Sequence, residues 1–412
     1  MILSKRAKKL TEGTQPLVQA HFKCTENPWS ETENPQGYIN LGTAENHLVY
    51  DLLEPVLHQS AKVEERQTHY DILYGSESFR IALAKYLTKL TDSEVMANQI
   101  VVASGSSAIV EMLMYSICDD EEGVIIPTPY YAGFDHDLKT RIGVEPVPLH
   151  LKTENNFAIT AEALQNAMIQ AKKREIKVKA ILLTSPNNPL GRVYDEQTLS
   201  LIFRFAKDQK LELIVDELYA QSVFGDKPYL SAWKMAQKEK MNVHVVYGFA
   251  KDFGLSGFKT GLLYSTNENV LKAMRELCYF APVSNATQAM LRKLISDAAF
   301  LEGFFEENRN RLKTAWSDCK AELKKANIPF TEADAGFFVW LDLRKWLQND
   351  DEASEMQLFQ QLMEQAKVNI SPGQVFKSVE PGFFRLCYAR PKEMIKEAIQ
   401  RMSTYLNSTS HE

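Results

Sequence analysis

Three short phrases in this chain each set a chemically useful side chain at the end of an apolar run. Val243 to Phe249 leads into a small-residue loop that presents Lys251 and continues to Lys259 and Gly261. Ile214-Val-Asp216-Glu-Leu-Tyr219 ends a second run, and Ser185-Pro-Asn-Asn188-Pro-Leu-Gly191 follows a third. Taken singly these residues are ordinary. A loop lysine is usually a solvated charge. An aspartate after a strand is usually a helix cap or one half of an ion pair, and Ser-Pro-Asn-Asn-Pro is a turn signal. Taken in order they offer more. Lys251 supplies an amine that can condense with an aldehyde. Asp216, costly to bury unless paired, can keep a heteroaromatic nitrogen protonated. Asn188 and Tyr219 can hold a ring oxygen. Those are the requirements of a pyridoxal phosphate ring.

Further residues fit the same ligand. Ser104-Gly-Ser106-Ser107 opens a helix directly after the strand Ile100-Val-Val-Ala-Ser104, and free N–H groups and hydroxyls at a helix start suit a phosphate. The alternative is a plain serine cap. Lys259 would face that phosphate with an opposing charge. Pro127-Thr-Pro-Tyr-Tyr131 puts an aromatic after another short strand, where Tyr131 either stacks on a ring or packs in the core. Arg385, in Phe383-Phe-Arg385-Leu-Cys-Tyr388, carries a two-pronged donor fork matched to a carboxylate.

The elements that must position these residues are also readable. Val124–Ile126, Val144–Leu149, Val178–Leu183, Leu211–Val215 and Val243–Phe249 are short apolar runs, separated by helical patterns such as 108–118, 161–174 and 195–207. Such a chain builds a mainly parallel α/β sheet covered on both faces, with ligands at the carboxyl ends of its strands. Residues 1–45 read as an extended polar arm that must pack on something else, 46–304 as a large domain, and 305–412 as a smaller C-terminal α/β domain. The chain has 412 residues, 45% hydrophobic, with a net charge of −6, which gives no case for nucleic acid or an anionic membrane. No run spans a bilayer. The basic stretch Lys5–Lys9 reads as a solvated terminus, and too little chain precedes the main fold for a DNA-binding domain. Five scattered cysteines with no Cys-x-x-Cys pair indicate neither disulfides nor a metal site, and fit a reducing, cytoplasmic setting. Dinucleotide, P-loop, zinc-protease and nucleophile-elbow motifs are absent.

These phrases resemble the class I/II aminotransferases, and most closely their 1-aminocyclopropane-1-carboxylate synthase branch. The likeness runs through Gly42-Thr-Ala-Glu45-Asn46, Pro127 to Asp135, Asn188-Pro-Leu-Gly191, Asp216-Glu-Leu-Tyr-Ala220, Lys251 to Phe258, Ser371-Pro-Gly373 and Glu380 to Arg385. It implies a fold type I transferase with a mainly parallel seven-stranded sheet and a smaller C-terminal domain, acting as a homodimer on a small-molecule α-amino acid substrate. It implies that Lys251 carries pyridoxal phosphate and moves the substrate proton, that Asp216 pairs with the ring nitrogen, and that Asn188 and Tyr219 bind the ring oxygen. Tyr131 would stack on the ring, Ser106 and Ser107 would bind phosphate with Lys259, and Arg385 would bind the substrate carboxylate. Glu45 matches a glutamate of the synthase branch, and Tyr74 would stand by the substrate. Three departures stand out. Gly248-Phe-Ala-Lys251 lacks two family hydroxyls, Lys259 replaces an arginine, and Leu73 replaces the tyrosine that reaches a neighbouring subunit's site. The implied activity is synthase-like, with transamination, or a non-catalytic binding role, as alternatives.

Overall fold

The computed structural model of the protein describes residues 3–11 and 16–409. Its strands, in chain order, are β1 (Ile39–Asn40), β2 (Ile100–Ala103), β3 (Gly123–Pro127), β4 (Glu145–Leu149), β5 (Val178–Thr184), β6 (Glu212–Asp216) and β7 (His244–Gly248). They continue with β8 (Gly261–Ser265), β9 (Phe330–Thr331), β10 (Phe338–Asp342), β11 (Val368–Asn369), β12 (Ser371–Pro372) and β13 (Phe383–Cys387). Seven of them form the large sheet in the order β2-β8-β7-β6-β5-β3-β4. All run one way except β8, which is antiparallel to both its neighbours. β8 was missed in the sequence, and its reversal matters: its first residue lies at the same sheet edge as the last residues of the others.

Both faces of this sheet are covered. Along β6, Leu213 and Val215 enter one apolar cluster and Ile214 the other, as the two-residue period of a strand requires. Pro146 and Pro148 are tolerated in β4 because β4 is the sheet's edge and pairs only with β3. The smaller sheet, β12-β13-β10-β9, is antiparallel throughout.

The helix Ala298–Lys325 joins the two cores. Leu301, Phe304 and Phe305 pack with the large sheet, while Leu312, Trp316, Cys319 and Leu323 pack with the small one. The division expected at 304/305 lies inside this continuous helix.

The arm departs from the extended reading. Lys5–Thr11 and Pro16–Glu26 are helical, and the second buries Ala20 and Cys24 against the small core. Beyond it, β1 pairs in parallel with β11, Leu41 N–H donates to Asn369 O at 2.8 Å, and Cys387 N–H donates to Leu41 O at 2.8 Å. The arm is thus bonded by its backbone to the small sheet, and it delivers residues 42–47 to the strand ends of the large one.

Candidate active site

The sheet's carboxyl edge gathers the expected residues. Asp216 is the last residue of β6, 4% exposed, with one carboxylate oxygen accepting from Leu218 N–H at 3.0 Å. Burial pushes its carboxyl up to about 7, against the pull of that N–H and of Lys251. A buried acid in this condition is one that lacks its cation, and a protonated ring nitrogen is a cation of the right kind. Lys251 lies in the loop after β7. Its Nζ donates to Ala44 O at 2.8 Å. Burial, and then the charge of Arg385, bring its amine down to about 8, while Glu45 and Asp216 oppose the shift. The amine therefore has a neutral, nucleophilic fraction that a solvated lysine lacks.

Asn188, Tyr219 and Arg385 form one buried line. Arg385 Nη1 donates to Asn188 Oδ1 at 3.1 Å and its Nη2 donates to Gly42 O. Asn188 Nδ2 points back to the Tyr219 hydroxyl at 3.5 Å, a long contact. The Arg385 Nε–H is buried with no partner, and no carboxylate sits against the guanidinium among the described residues. A buried arginine so placed asks for an anion. Tyr219 is held edge-on by Phe337 and Phe338, with ring centroids 5.3 and 5.1 Å away. Tyr131 lies over Gly133, where a β-carbon would fall 2.4 Å from its ring. Burial pushes its phenol up to about 12, and the charges of Asp137, Arg385 and Asp216 all act on it, so it borders the same space.

The helix start is built differently from the family phrase. Gly105, with φ of 95°, turns the chain from β2 into the helix Ser106–Ile117. Gly248 and Gly261 are cross-strand partners on β7 and β8, and together they leave the gap in which this helix start sits. A β-carbon on Gly261 would lie 2.5 Å from Ser106 N; one on Gly248 would lie 2.9 Å from Ser106 Oγ. The Ser106 hydroxyl thus stands beside the position where Gly248 lacks a side chain. That Oγ is buried without a partner. Burial holds the carboxyl of Asp137, on the helix Gly133–Lys139, up at about 6. Lys259 follows from the reversal of β8: it stands just before that strand, and its Nζ lies 3.5 Å from the position of a β-carbon on Gly105. An orphaned hydroxyl, free helix N–H groups and an ammonium together fit a phosphate. With Asp216 and Lys251 at the other end, the residues present fit pyridoxal phosphate as a whole.

Glu45 does not cap the next helix, which starts at Tyr50 with no side-chain cap. Its carboxylate meets His47 Nε2 at 3.2 Å. That bond, and the charges of Arg390 and Lys251, hold its carboxyl below the usual range, against its partial burial. Tyr74 packs between two arginines. Its ring lies 4.9 Å from the Arg80 guanidinium and 5.5 Å from that of Arg275, so two cations hold it against the large domain. Leu73 beside it is partly exposed. Several site groups escaped the sequence reading. The carbonyls of Gly42 and Ala44 carry no side-chain signal. Cys387 lies two residues from Arg385 and so on the same face of β13. Asp252 was legible only as the neighbour of Lys251; it is fully buried and accepts from Gln221 N–H, the Ser222 hydroxyl and the Tyr247 hydroxyl.

Comparison with known proteins agrees with this geometry. The sequence profile of class I and II aminotransferases matches residues 37–402. The 1-aminocyclopropane-1-carboxylate synthase 5 of Arabidopsis thaliana is 35% identical over 404 residues, covering 93% of this chain and 86% of that protein. The 1-aminocyclopropane-1-carboxylate synthase CMA101 of Cucurbita maxima is 36% identical over 400 residues, covering 92% and 84%. In fold, the chain is similar to the aspartate aminotransferase of Thermus thermophilus solved with maleate, with a TM-score of 0.83 at 20% identity over 98% of this chain and 100% of that one. With the cofactor cradle, the strand order and the matched span in agreement, the chain belongs to the class I and II aminotransferase family, on its 1-aminocyclopropane-1-carboxylate synthase branch, and is a pyridoxal phosphate-dependent enzyme.

Proposed function

We propose that this enzyme acts on an α-amino acid with a cationic side chain, of which S-adenosylmethionine is the model, and removes its Cα proton with Lys251. The observation that carries the reading is the pair of opposite charges around Lys251. Arg385, without an anion of its own, draws the Lys251 amine down, and Glu45 draws it up. Arg385 takes the substrate carboxylate, and Glu45 attracts a sulfonium or ammonium group while repelling a side-chain carboxylate. When bound, pyridoxal phosphate supplies the electron sink that makes the Cα–H bond acidic. Asp216 keeps the ring nitrogen protonated, Asn188 and Tyr219 hold the ring oxygen, and Ser106, Ser107 and Lys259 hold the phosphate. The Cα proton passes to Lys251 Nζ. In the synthase outcome the Cα electron pair then forms a bond to Cγ, the Cγ–sulfur bond breaks, and methylthioadenosine leaves with that bond's electrons. The second reading is transamination, in which Lys251 returns the proton to a different carbon. One observation favours it: Leu73 has no hydroxyl to offer at the neighbouring site.

The working unit is a homodimer. Tyr70, Tyr115, Tyr279 and Phe280 are all more than half exposed. Asn285 Nδ2 ties its helix to the Tyr70 loop through His69 O at 2.7 Å. Tyr115 and Phe280 line one cavity. An apolar surface of this extent suits a subunit interface. The five cysteines are buried free thiols, in keeping with a reducing cytoplasmic setting, and among the described residues no helix is long and apolar enough to cross a membrane.

The test is product analysis of the loaded enzyme. Methylthioadenosine formed from S-adenosylmethionine supports the synthase reading. A new amino acid formed from amino and 2-oxo acids, with no methylthioadenosine, selects transamination. The absence of both products, and of Cα–H exchange in deuterated water, refutes the proposal.

A further inference from the structure

Away from the strand ends the chain holds a larger cavity, of about 970 Å³, in the range of small-molecule sites. Its walls are the helix Glu77–Thr91, the helix Ala298–Lys325, the end of the helix Asn285–Ser296 and the loop 220–229. Two of the helices present residues at four-residue spacing, Ile81-Lys85-Lys89 and Leu301-Phe305-Arg309, so each contributes one face of mixed apolar and cationic character. The Lys89–Glu302 pair, 3.5 Å apart, ties these faces together at one end. Lys85, one turn back on its helix, and Arg309, two turns on along the other, fall on the same side of that tie. Neither has a carboxylate within ion-pair distance among the described residues. The lining is mixed: Ile81, Leu301 and Phe305 offer apolar surface, and Asp226 and Glu302 are its carboxylates.

The cavity is also wired to the catalytic loop. Arg309 Nη1 donates to Gln221 Oε1 at 3.2 Å, and Gln221 N–H donates to Asp252 Oδ2 at 2.8 Å. From the opposite wall, the Tyr86 and Tyr247 hydroxyls bond at 2.8 Å, and Tyr247 donates to the same Asp252 oxygen at 3.0 Å. Asp252 follows Lys251 in the chain. None of these groups has a role in holding the cofactor or substrate as described above.

We propose that this cavity binds an organic carboxylate with an apolar body, its anion between Lys85 and Arg309 and its body on Ile81, Leu301 and Phe305, and that its occupancy is felt at Lys251 through Gln221 and Asp252. An anion paired with Arg309 weakens the hold of that guanidinium on Gln221. The Gln221–Asp252 contact then relaxes, and the loop bearing Lys251 shifts with it.

The test titrates naphthalene-2-carboxylate into the pyridoxal phosphate-loaded enzyme by calorimetry. The pH midpoint of the cofactor's visible absorption is then measured with and without it. Binding should be saturable and should survive Arg385→Gln, which removes the carboxylate site of the substrate pocket. It should weaken about tenfold in Lys85→Gln and again in Arg309→Gln, the loss expected for one charge-assisted contact. The absorption midpoint should move on binding in the parent enzyme and in Arg385→Gln. No saturable heat at millimolar concentration overturns the site, as does binding that vanishes in Arg385→Gln or ignores both cavity variants. Binding that leaves the absorption midpoint fixed overturns the coupling to Lys251.

Discussion

Replacing Ser106 with alanine should move the cofactor-free and cofactor-loaded proteins in opposite directions. In the free protein Ser106 Oγ is buried and has no partner, so it carries the desolvation cost of an unmade hydrogen bond, about 1–3 kcal/mol. Alanine removes that cost and is the better helix former at the first residue of Ser106–Ile117 by a few tenths of a kcal/mol. The lost oxygen leaves a small void against Gly248, which offsets part of the gain, so the net stabilisation should be about 1 kcal/mol. In the loaded protein the same hydroxyl meets phosphate, and its loss costs about 1.5–3 kcal/mol. Both effects weaken binding, because the free form gains what the bound form loses, and the dissociation constant for pyridoxal phosphate should rise by roughly two orders of magnitude. Urea unfolding with and without saturating cofactor reads both signs, with the midpoint of the variant above the parent when free and below it when loaded. A lower midpoint in the free protein together with an unchanged dissociation constant would refute the reasoning, since Ser106 would then be an ordinary helix residue. Gly248→Ser is the companion measurement. Its β-carbon comes within 2.9 Å of both Ser106 Oγ and Thr260 O, and it should destabilise by about 1–3 kcal/mol, less in the Ser106→Ala background.

Five further outcomes are expected. The rate at which cofactor-free protein captures pyridoxal phosphate should rise with pH through about 8, the value set for the Lys251 amine by burial and Arg385; stopped-flow absorbance checks this, and a midpoint near that of a solvated lysine removes it. Asp216, Glu217, Asp252 and Glu355 all have carboxyls raised to about 7 by burial; the folded protein therefore binds more protons than the unfolded chain above the ordinary carboxylate range, and the cofactor-free urea midpoint should fall as pH rises towards and through 7. Asp216→Asn should remove one share of that slope only in the cofactor-free protein, since the ring nitrogen pairs with Asp216 when loaded. Lys259→Arg should tighten cofactor binding by about 1 kcal/mol through a two-pronged phosphate contact, measured by equilibrium titration, with unchanged affinity counting against a phosphate role. Glu45→Gln should slow Cα–H exchange of S-adenosylmethionine in deuterated water by about tenfold while relieving the exclusion of aspartate; equal exchange of both substrates in the parent enzyme argues against Glu45 as the selector.

The strands were legible where burial on both faces writes an uninterrupted apolar run, as in β5, β6 and β7. β8 was not. Its five residues begin with the glycine that closes the lysine phrase, and no side-chain pattern tells an antiparallel strand from a parallel one when both faces are covered. The arm helix Pro16–Glu26 was missed for a different reason. Its buried face is carried by Ala20 and Cys24, residues too small to mark an amphipathic stripe. Strand pairing also lay beyond reach: that β1 joins β11, more than 300 residues away, is set by tertiary packing alone.

Within the site, side chains at strand ends were legible and carbonyls were not, so Lys251, Asp216, Asn188, Tyr219 and Arg385 could be named while Gly42 O and Ala44 O could not. The departures from the family phrase carry the sharper lesson. Read one residue at a time, Gly248 is a lost hydroxyl and Ser106 an incidental serine. In three dimensions they are neighbours. Gly248 and Gly261 pair across β7 and β8, and the start of the helix Ser106–Ile117 lies 2.5–2.9 Å from where their β-carbons would stand, with the Ser106 hydroxyl beside Gly248. The same sheet edge accounts for Lys259, which reaches Gly105 because β8 runs backwards and starts where its neighbours end. The Ser106 hydroxyl, the helix N–H groups and Lys259 still offer donors that suit a phosphate. That is the physical reason to expect a working pyridoxal phosphate enzyme, since a chain released from holding the cofactor would have no cause to bury an unbonded hydroxyl at the helix start after β2 and, in β13 of the smaller sheet, an Arg385 without a carboxylate partner.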